Sequence, residues 1–227
     1  MINSACIFGD SVSKGVVFDS VLKKYTLLKD SFVSIIQNQD KISINNYSKF
    51  GCTITKGGEV LKRHKSELNK FDYTVLEFGG NDCDFNWKDV SASPKSKHKP
   101  KTPLSVFQET YEKIIDFVKS CGGNPVLLSL PPVDAKRYFN WISCGLNPDN
   151  ILNWLGDVEY IYRFHEMYNL AVNKIAKLKD IPLIDISSEF LQIDKYQELL
   201  CEDGIHPNKK GHELIGKTIE KYTLATV

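Results

Sequence analysis

Five short runs of apolar and β-branched residues, separated by segments of helical periodicity, constrain the fold of this chain more than any other feature. The runs, in chain order, are Ala5–Phe8, Ile42–Asn45, Tyr73–Phe78, Pro125–Leu130 and Pro182–Ile186. The third and fourth are almost continuously apolar, which is typical of strands buried on both faces of a parallel sheet. The alternation of strands and helices predicts a three-layer α/β/α domain around such a sheet.

The segments between these runs predict the helices that would cover the sheet. A helical face around Phe32–Ile36 precedes the second run, and Val16–Asp19 with Lys24–Leu27 are compatible with a small hairpin before it. Further helices are predicted over Lys56–Leu68, Thr102–Gly122, Asp157–Leu178 and Lys209–Tyr222. No linker or internal repeat is visible, so we expect a single domain over residues 1–227.

Two connections are longer than a compact α/β domain needs. They cover residues 83–101 and 131–156, and the first ends in a lysine-rich, proline-punctuated stretch. We expect both to be cap-like insertions above the sheet. The lysines could attract an anionic substrate or a nucleic acid, but the expected form of this stretch is a mobile, solvated loop.

The charge balance and the hydropathy pattern exclude several classes of protein. The 227 residues carry 29 Lys and Arg against 28 Asp and Glu, a formal net charge of +1. This argues against a nucleic-acid partner, because such proteins usually carry a clear basic excess. No run of about 18 apolar residues predicts a membrane span.

The N-terminus and the cysteines indicate a compartment. No basic segment precedes the first apolar run, which Gly9 and Asp10 interrupt, so no cleavable signal peptide is predicted. The six cysteines form no C-x-x-C pair, which gives no support to a zinc-ribbon or thioredoxin motif. Scattered free thiols are typical of a reducing, cytoplasmic location, although a trimmed export signal would leave the same sequence. The histidines outside the motifs below lack metal-ligand spacing.

Polar and glycine-rich motifs follow three of the predicted strands, and a fourth precedes the last helix. They are Gly9-Asp10-Ser11, Gly51, Gly79-Gly80-Asn81-Asp82 and Asp203-Gly204-Ile205-His206-Pro207. Taken singly, each is also an ordinary turn or helix entry. The first is not G-x-S-x-G, so the nucleophile elbow of the α/β-hydrolases is absent.

Together and in this order, the four motifs resemble those of the SGNH hydrolases, also called the GDSL esterase/lipase superfamily. The match extends from Gly9 to Pro207. The resemblance implies a flavodoxin-like, five-stranded parallel sheet of order 2-1-3-4-5 and a metal-independent serine ester hydrolase without a cofactor. Ser11 would be the nucleophile, His206 the base, and Asp203 the group that orients the imidazole.

Physical reasoning agrees with this assignment. In that strand order the carboxyl ends of strands two, one and three are neighbours, which would bring Gly51, Ser11 and Asn81 side by side. The backbone N–H groups of Ser11 and Gly51 and the Asn81 amide would then surround a developing oxyanion. Glycine at 51 would allow the substrate to approach closely. A histidine, with an ordinary pKa near 6.5, is suited to activate a serine at neutral pH.

The substrate is less constrained by the sequence. Trp87, Trp141 and Trp154 all fall in the two insertions, where they could contact substrate together with Asp10 or form the insertions' own small cores. We expect a small-molecule or glycan ester with a short, acetyl-like acyl group, for example on a carbohydrate. The alternatives are a lysophospholipase or acyl-thioesterase with the same triad, and a non-catalytic ligand-binding module.

A cysteine nucleophile is a further alternative. Cys52, Cys83 and Cys201 each lie within two residues of a predicted site position. None occupies the position of Ser11, and a free cysteine is more often a small buried apolar residue. The sequence leaves the oligomeric state open.

Overall fold

A computed structural model describes residues 2–39 and 42–225 of the chain. The described residues form seven strands and ten α-helices. The strands are β1 (Ser4–Gly9), β2 (Val16–Asp19), β3 (Lys24–Leu27), β4 (Ser43–Asn46), β5 (Tyr73–Glu77), β6 (Pro125–Leu128) and β7 (Leu183–Ile184). The helices are α1 (Ser11–Lys14), α2 (Phe32–Gln39), α3 (Ile54–Arg63), α4 (Trp87–Ala92), α5 (Leu104–Ser120), α6 (Ala135–Ile142), α7 (Pro148–Leu155), α8 (Tyr160–Lys179), α9 (Ile186–Leu191) and α10 (Lys209–Ala225).

The central sheet confirms the predicted strand order. Its strands are arranged β4-β1-β5-β6-β7, and every neighbouring pair is parallel. In the register, Ile7 of β1 lies between Asn46 of β4 and Val75 of β5. The carboxyl ends of β4, β1 and β5 therefore meet at one edge, as the motif argument requires.

Alternate residues of the strands point into two separate apolar cores. Cys6 and Phe8 of β1 pack with α3, α5 and α8 on one face. Ile7 between them packs with α2, α9 and α10 on the other face. This alternation is the period-two pattern of a strand, and it produces the predicted three-layer α/β/α arrangement.

The two insertions fold into helices that the sequence analysis left unassigned. Segment 83–101 contains α4, and segment 131–156 contains α6 and α7. Phe85, Val90 and Ile151 are buried in a third apolar cluster that joins these helices to the start of α8. Lys101 Nζ donates to Asp84 at 2.8 Å, which fixes the end of the lysine-rich stretch to this cluster.

Several predicted boundaries were wrong, and capping explains the clearest case. The predicted fifth strand extended to Ile186, but β7 ends at Ile184 because the Asp185 side chain accepts a hydrogen bond from Ser188 N and begins α9. The helix predicted to Leu68 ends at Arg63. The predicted hairpin is present, with β2 and β3 antiparallel and Phe18 paired with Tyr25. No helix among the described residues is long and apolar enough to span a membrane.

Glycine at position 57 is expected to be essential for packing α3 against β5. Alanine normally stabilises a helix by about 1 kcal/mol relative to glycine. A Cβ at Gly57, however, would lie 2.3 Å from Phe78 Cε1, and overpacking a core costs about 1–3 kcal/mol. The overpacking cost less the gain in helix propensity is then about 1 kcal/mol, and Gly57→Ala should lower the free energy of unfolding in urea by about that amount.

The adjacent glycine provides the control for this prediction. A Cβ at Gly58 would lie 3.2 Å from Ile114 Cδ1, the flexible end of a side chain. Gly58→Ala should leave stability nearly unchanged. Equal stability of Gly57→Ala and the wild type would show that separating the helix from Phe78 costs no more than the gain in helix propensity.

Candidate active site

Three side chains from opposite ends of the chain form a continuous hydrogen-bonded chain. His206 Nε2 lies 2.9 Å from Ser11 Oγ, and His206 Nδ1 lies 2.5 Å from Asp203 Oδ2. All three residues are buried. The structure thus brings the Ser11 hydroxyl to an imidazole and a carboxylate that lie almost two hundred residues later in the sequence.

Ser11 is held at the point where β1 becomes α1. The Asp10 side chain caps this short helix by accepting a hydrogen bond from Val12 N at 2.9 Å. The cap requires a sharp change of direction directly after the strand. It places the Ser11 hydroxyl at the carboxyl end of the sheet.

His206 and Asp203 lie in a tight loop that precedes α10. Asp203 Oδ1 accepts from the backbone N–H groups of Ile205 and His206, both at 3.1 Å. Between them, Gly204 has φ +76°, and a Cβ there would lie 2.8 Å from Arg137 Cβ. Glycine is therefore required at this position, and the loop geometry fixes the imidazole relative to the carboxylate.

Asp203 is ionised in spite of its burial. Burial alone would raise the pKa of this carboxyl, but its hydrogen bonds with the His206 side chain and with backbone N–H groups outweigh burial and lower the pKa. A buried carboxylate of this kind fixes the imidazole tautomer with a proton on Nδ1. Nε2 is then free to accept a hydrogen bond from the Ser11 hydroxyl.

Aromatic rings that the sequence analysis did not select surround His206. The centroids of Tyr25 and Phe50 lie 5.2 and 6.1 Å from that of the imidazole. Tyr25 belongs to β3, and its strand partner Phe18 lies 4.5 Å from Trp141, centroid to centroid. Burial and the negative charge of Asp203 both raise the pKa of Tyr25, so the phenol stays neutral beside the carboxylate.

Gly51 and Asn81 lie on the wall of the same cavity as Ser11. Gly51 has φ +67°, and a Cβ there would meet nothing within 4 Å. Its backbone conformation, rather than a need for space, therefore requires glycine. Asn81 Nδ2 donates one hydrogen bond to Asp10 Oδ2 at 2.8 Å, which leaves its second N–H for another acceptor.

A second buried carboxyl, Glu77 at the end of β5, lies beneath Ser11 and was missed by the sequence analysis. Its Oε2 accepts from Asp10 N at 3.3 Å, Ser13 N at 3.3 Å and Ser13 Oγ at 2.9 Å. Burial and the neighbouring Asp10 carboxylate raise the pKa of Glu77 well above its ordinary value. We therefore treat Glu77 as the protonated member of the pair.

Asp82 holds the loop after β5 to the start of α3. Both of its carboxylate oxygens accept from Ile54 N, at 3.0 and 3.1 Å. Burial raises the pKa of Asp82 to about 6. Its carboxylate contacts are with Ile54 N and the Thr102 side chain, which fits a structural role next to Asn81.

The cavity above Ser11 has a volume of about 880 Å³. Its wall comes from the hairpin, from both insertions and from α8, and it includes Trp87 and Trp141. Trp154, by contrast, packs against Phe85, Trp87 and Tyr160 within the insertion cluster. Two of the three predicted tryptophans thus face the cavity, and the contacts of the third are internal.

The nearby cysteines are neutral thiols. Burial raises the pKa of Cys52 and of Cys201 to about 11, and it raises the pKa of Cys83 well above its ordinary value. The thiolate is the nucleophilic form of cysteine. None of these three groups therefore competes with Ser11 at neutral pH.

Solved structures with the same fold support this view of the architecture. A lipase/acylhydrolase from Enterococcus faecalis is similar with a TM-score of 0.65 and 19% identity, over 97% of this chain and 95% of that chain. A catalytic mutant of an acetylxylan esterase from Geobacillus stearothermophilus gives 0.62 and 16%, over 96% and 93%. The psychrotrophic esterase EstA from Pseudoalteromonas gives 0.61 and 17%, over 97% and 98%. At these identities the likeness establishes the fold alone.

A comparison with curated protein sequences finds no match. A family-level comparison does: the GDSL-like lipase/acylhydrolase family matches residues 7–214. That range contains the motifs at Ser11, Gly51, Asn81 and His206, and it covers most of the chain. On this match, and with the fold and motif order described above, the chain belongs to the GDSL-like lipase/acylhydrolase family.

Proposed function

We propose that this protein hydrolyses carboxylic esters through an acyl-enzyme intermediate formed on Ser11. The observation that carries the proposal is the unbroken hydrogen-bond chain from Asp203 through His206 to Ser11, which opens onto the cavity. A serine hydroxyl becomes an effective nucleophile when an oriented base accepts its proton. The arrangement supplies both the base and the carboxylate that orients it.

The reaction then follows from the positions of these groups. Ser11 Oγ attacks the ester carbonyl carbon while His206 Nε2 accepts the hydroxyl proton, and the carbonyl π electrons move to the oxygen. When the tetrahedral intermediate collapses, His206 returns that proton to the leaving alkoxide. A water molecule then repeats both steps on the acyl-enzyme and releases the carboxylic acid.

The negative oxygen of each tetrahedral intermediate requires hydrogen-bond donors. We assign them to the backbone N–H groups of Ser11 and Gly51 and to the second N–H of the Asn81 amide. Removing one such donor typically costs about 10²–10³ in rate. The hydrogen bond from Asn81 to Asp10 fixes the rotation of the amide, so the donor is oriented before substrate binds.

Glu77 completes this arrangement as a positioning residue. Its Oε1 is buried and has no donor directed at it in the described part of the chain. This is the environment of a protonated oxygen that donates to the adjacent Asp10 carboxylate. The neutral Glu77 and ionised Asp10 would then hold both the start of α1 and the Asn81 amide.

The cavity favours an acyl group longer than acetyl. Its volume of about 880 Å³ is in the range that takes a drug-sized ligand, and Leu130, Val133, Leu155 and Ile161 contribute apolar wall. We therefore propose a medium-chain acyl ester as the substrate. A short acyl ester of a carbohydrate stays the second candidate, because Trp87 and Trp141 could stack on a sugar ring.

Loss of the Ser11 hydroxyl should abolish turnover. We expect Ser11→Ala to lower kcat for 4-nitrophenyl esters by at least about 10⁴-fold, because no acyl-enzyme can form. Ser48→Ala is the matched control, since the buried Ser48 hydroxyl has no hydrogen-bond partner among the described residues. Equal turnover by wild type and Ser11→Ala would refute the mechanism.

Glu77→Gln should be active and Glu77→Leu should not. Glutamine accepts and donates like a protonated carboxyl, so kcat should stay within about threefold of the wild type. Leucine leaves Asp10 N and Ser13 N without an acceptor, at about 1–3 kcal/mol each, and kcat should fall about 100-fold. Similar losses in both variants would show that the protonated state is not what matters.

The dependence of kcat on pH provides a second test of the protonated state of Glu77. Because the pKa of Glu77 is raised, the carboxyl loses its proton only above the ordinary carboxyl range. Its ionisation at rising pH removes the donor to Asp10 and adds a buried charge. The alkaline decrease in wild-type kcat should therefore be smaller in Glu77→Gln, and identical alkaline limbs would contradict this assignment.

The acyl chain length should affect the rate if the cavity holds the acyl group. Each buried CH₂ contributes about 0.8 kcal/mol, so kcat/KM should rise by at least about tenfold from 4-nitrophenyl acetate to the octanoate. A rate that decreases steadily from the acetate onward would favour the short-acyl carbohydrate ester.

A further inference from the structure

One buried imidazole on the cavity wall has no role in the proposed reaction. His165 lies on α8, is 6% exposed, and lines the same cavity as Ser11. Its Nδ1 is buried and has no hydrogen-bond partner in the described part of the chain. Buried polar groups are rarely left unpaired, so this ring calls for a partner that the chain does not supply.

The surroundings of His165 keep the ring neutral. Burial lowers its pKa to about 4. At neutral pH one ring nitrogen therefore carries a hydrogen and the other is an acceptor. Leu130, Ile161 and Phe164 lie on the same wall, so the imidazole is a single polar group in an apolar part of the cavity.

The other buried side-chain atoms without partners among the described residues have different explanations. Glu77 Oε1 belongs to a carboxyl that is hydrogen-bonded to the Asp10 side chain. His212 stacks on Phe32, its Nδ1 accepts from Phe32 N at 3.4 Å, and it is not part of the cavity wall. Ser48 is also outside that wall. His165 differs from these because it lines the cavity. Its Nδ1 is enclosed, so a bound group would approach the ring at Nε2, which also has no partner among the described residues.

The fold places His165 on the side of Ser11 opposite the rings that surround His206. One turn after His165, Asn169 Oδ1 accepts from Leu130 N at 2.9 Å, which ties this face of α8 to the segment after β6. β6 is two strands from β1, a distance of about 10 Å. Phe50, beside His206, follows β4 on the other side of β1.

The two sides of Ser11 would hold different parts of the substrate. His206 protonates the leaving alkoxide, so the leaving group lies beside it, among Tyr25, Phe50 and Trp141. The acyl chain then extends toward β6 and α8. A chain in this direction passes Leu130 and extends toward His165 on the same wall.

We propose that His165 binds a hydroxyl group on the acyl chain, and that the substrates are esters of hydroxylated medium-chain acids. The inference rests on the proposed function and specifies its substrate class. A hydroxyl can either donate or accept, so it can pair with the Nε2 of a neutral imidazole in either tautomer. A site built to pair with a hydroxyl discriminates strongly against the analogue that lacks it, because its polar group is then left unpaired.

The test compares matched esters. We would measure kcat/KM for 4-nitrophenyl octanoate and for a series of its monohydroxylated counterparts, with the hydroxyl moved along the chain. The wild type should prefer at least one position by about tenfold or more over the plain octanoate. His165→Phe, which keeps an aromatic ring of similar size, should lose that preference: the ratio of kcat/KM for the preferred hydroxylated ester to that for plain octanoate should fall to about one.

His165→Gln is the conservative variant, and it should recover part of the preference because its amide both donates and accepts. The inference fails if the wild type prefers no hydroxylated position, as would follow if a bound water satisfies His165. It also fails if His165→Phe keeps the preference. The wild-type series alone decides the point if that variant does not fold.

The proposed function fails separately. Its failure would appear as ester hydrolysis that Ser11→Ala leaves unchanged, or as no hydrolysis of any ester in the series. Plain octanoate hydrolysis that depends on Ser11, without a preference for hydroxylated chains, would retain the proposed function and overturn only the role of His165.

Discussion

The ionised, buried carboxylate of Asp203 is the interaction on which the arrangement of the site depends. A charge removed from water must be compensated by hydrogen bonds, and Asp203 obtains three: two backbone N–H groups and the imidazole of His206. These bonds fold the loop before α10 and set the tautomer of His206. The hydrogen bonds that offset the cost of burying the Asp203 charge therefore also leave His206 Nε2 as an acceptor for the Ser11 hydroxyl.

The two carboxyl groups beneath Ser11 are too close together for both to be ionised. Asp10 and Glu77 are both buried at the meeting point of β1 and β5, where two like charges could not be accommodated together. Retaining one proton between them turns a repulsion into a hydrogen bond. Asp10 can then accept from Val12 N and Asn81 Nδ2. The charge on this one residue therefore orients a group that follows β1 and a group that follows β5.

The sequence predicted the parts of the site that follow from strand topology. Gly51, Ser11 and Asn81 come directly or shortly after adjacent parallel strands, so their proximity depends only on strand order, which the hydropathy pattern and the motif resemblance supplied together. Tyr25, Phe50, Glu77 and His165 were missed because nothing local distinguishes them. A glutamate ending a strand or a histidine on a helix is usually exposed, and burial at these positions results from packing between distant elements. The helices of the insertions were missed for a related reason: their apolar residues pack with one another rather than with the sheet.

The two insertions give the cavity of this protein much of its wall. Ser11, Gly51 and Asn81 lie at the sheet edge, but the wall of the cavity comes largely from the hairpin, the insertions and the first turns of α8. Aromatic rings line the cavity beside His206. On the side of β6 the wall includes Leu130, Ile161 and the imidazole of His165. Because the two sides are built by different segments, the selection of the leaving group and that of the acyl group can change independently while the Ser11–His206–Asp203 geometry stays fixed.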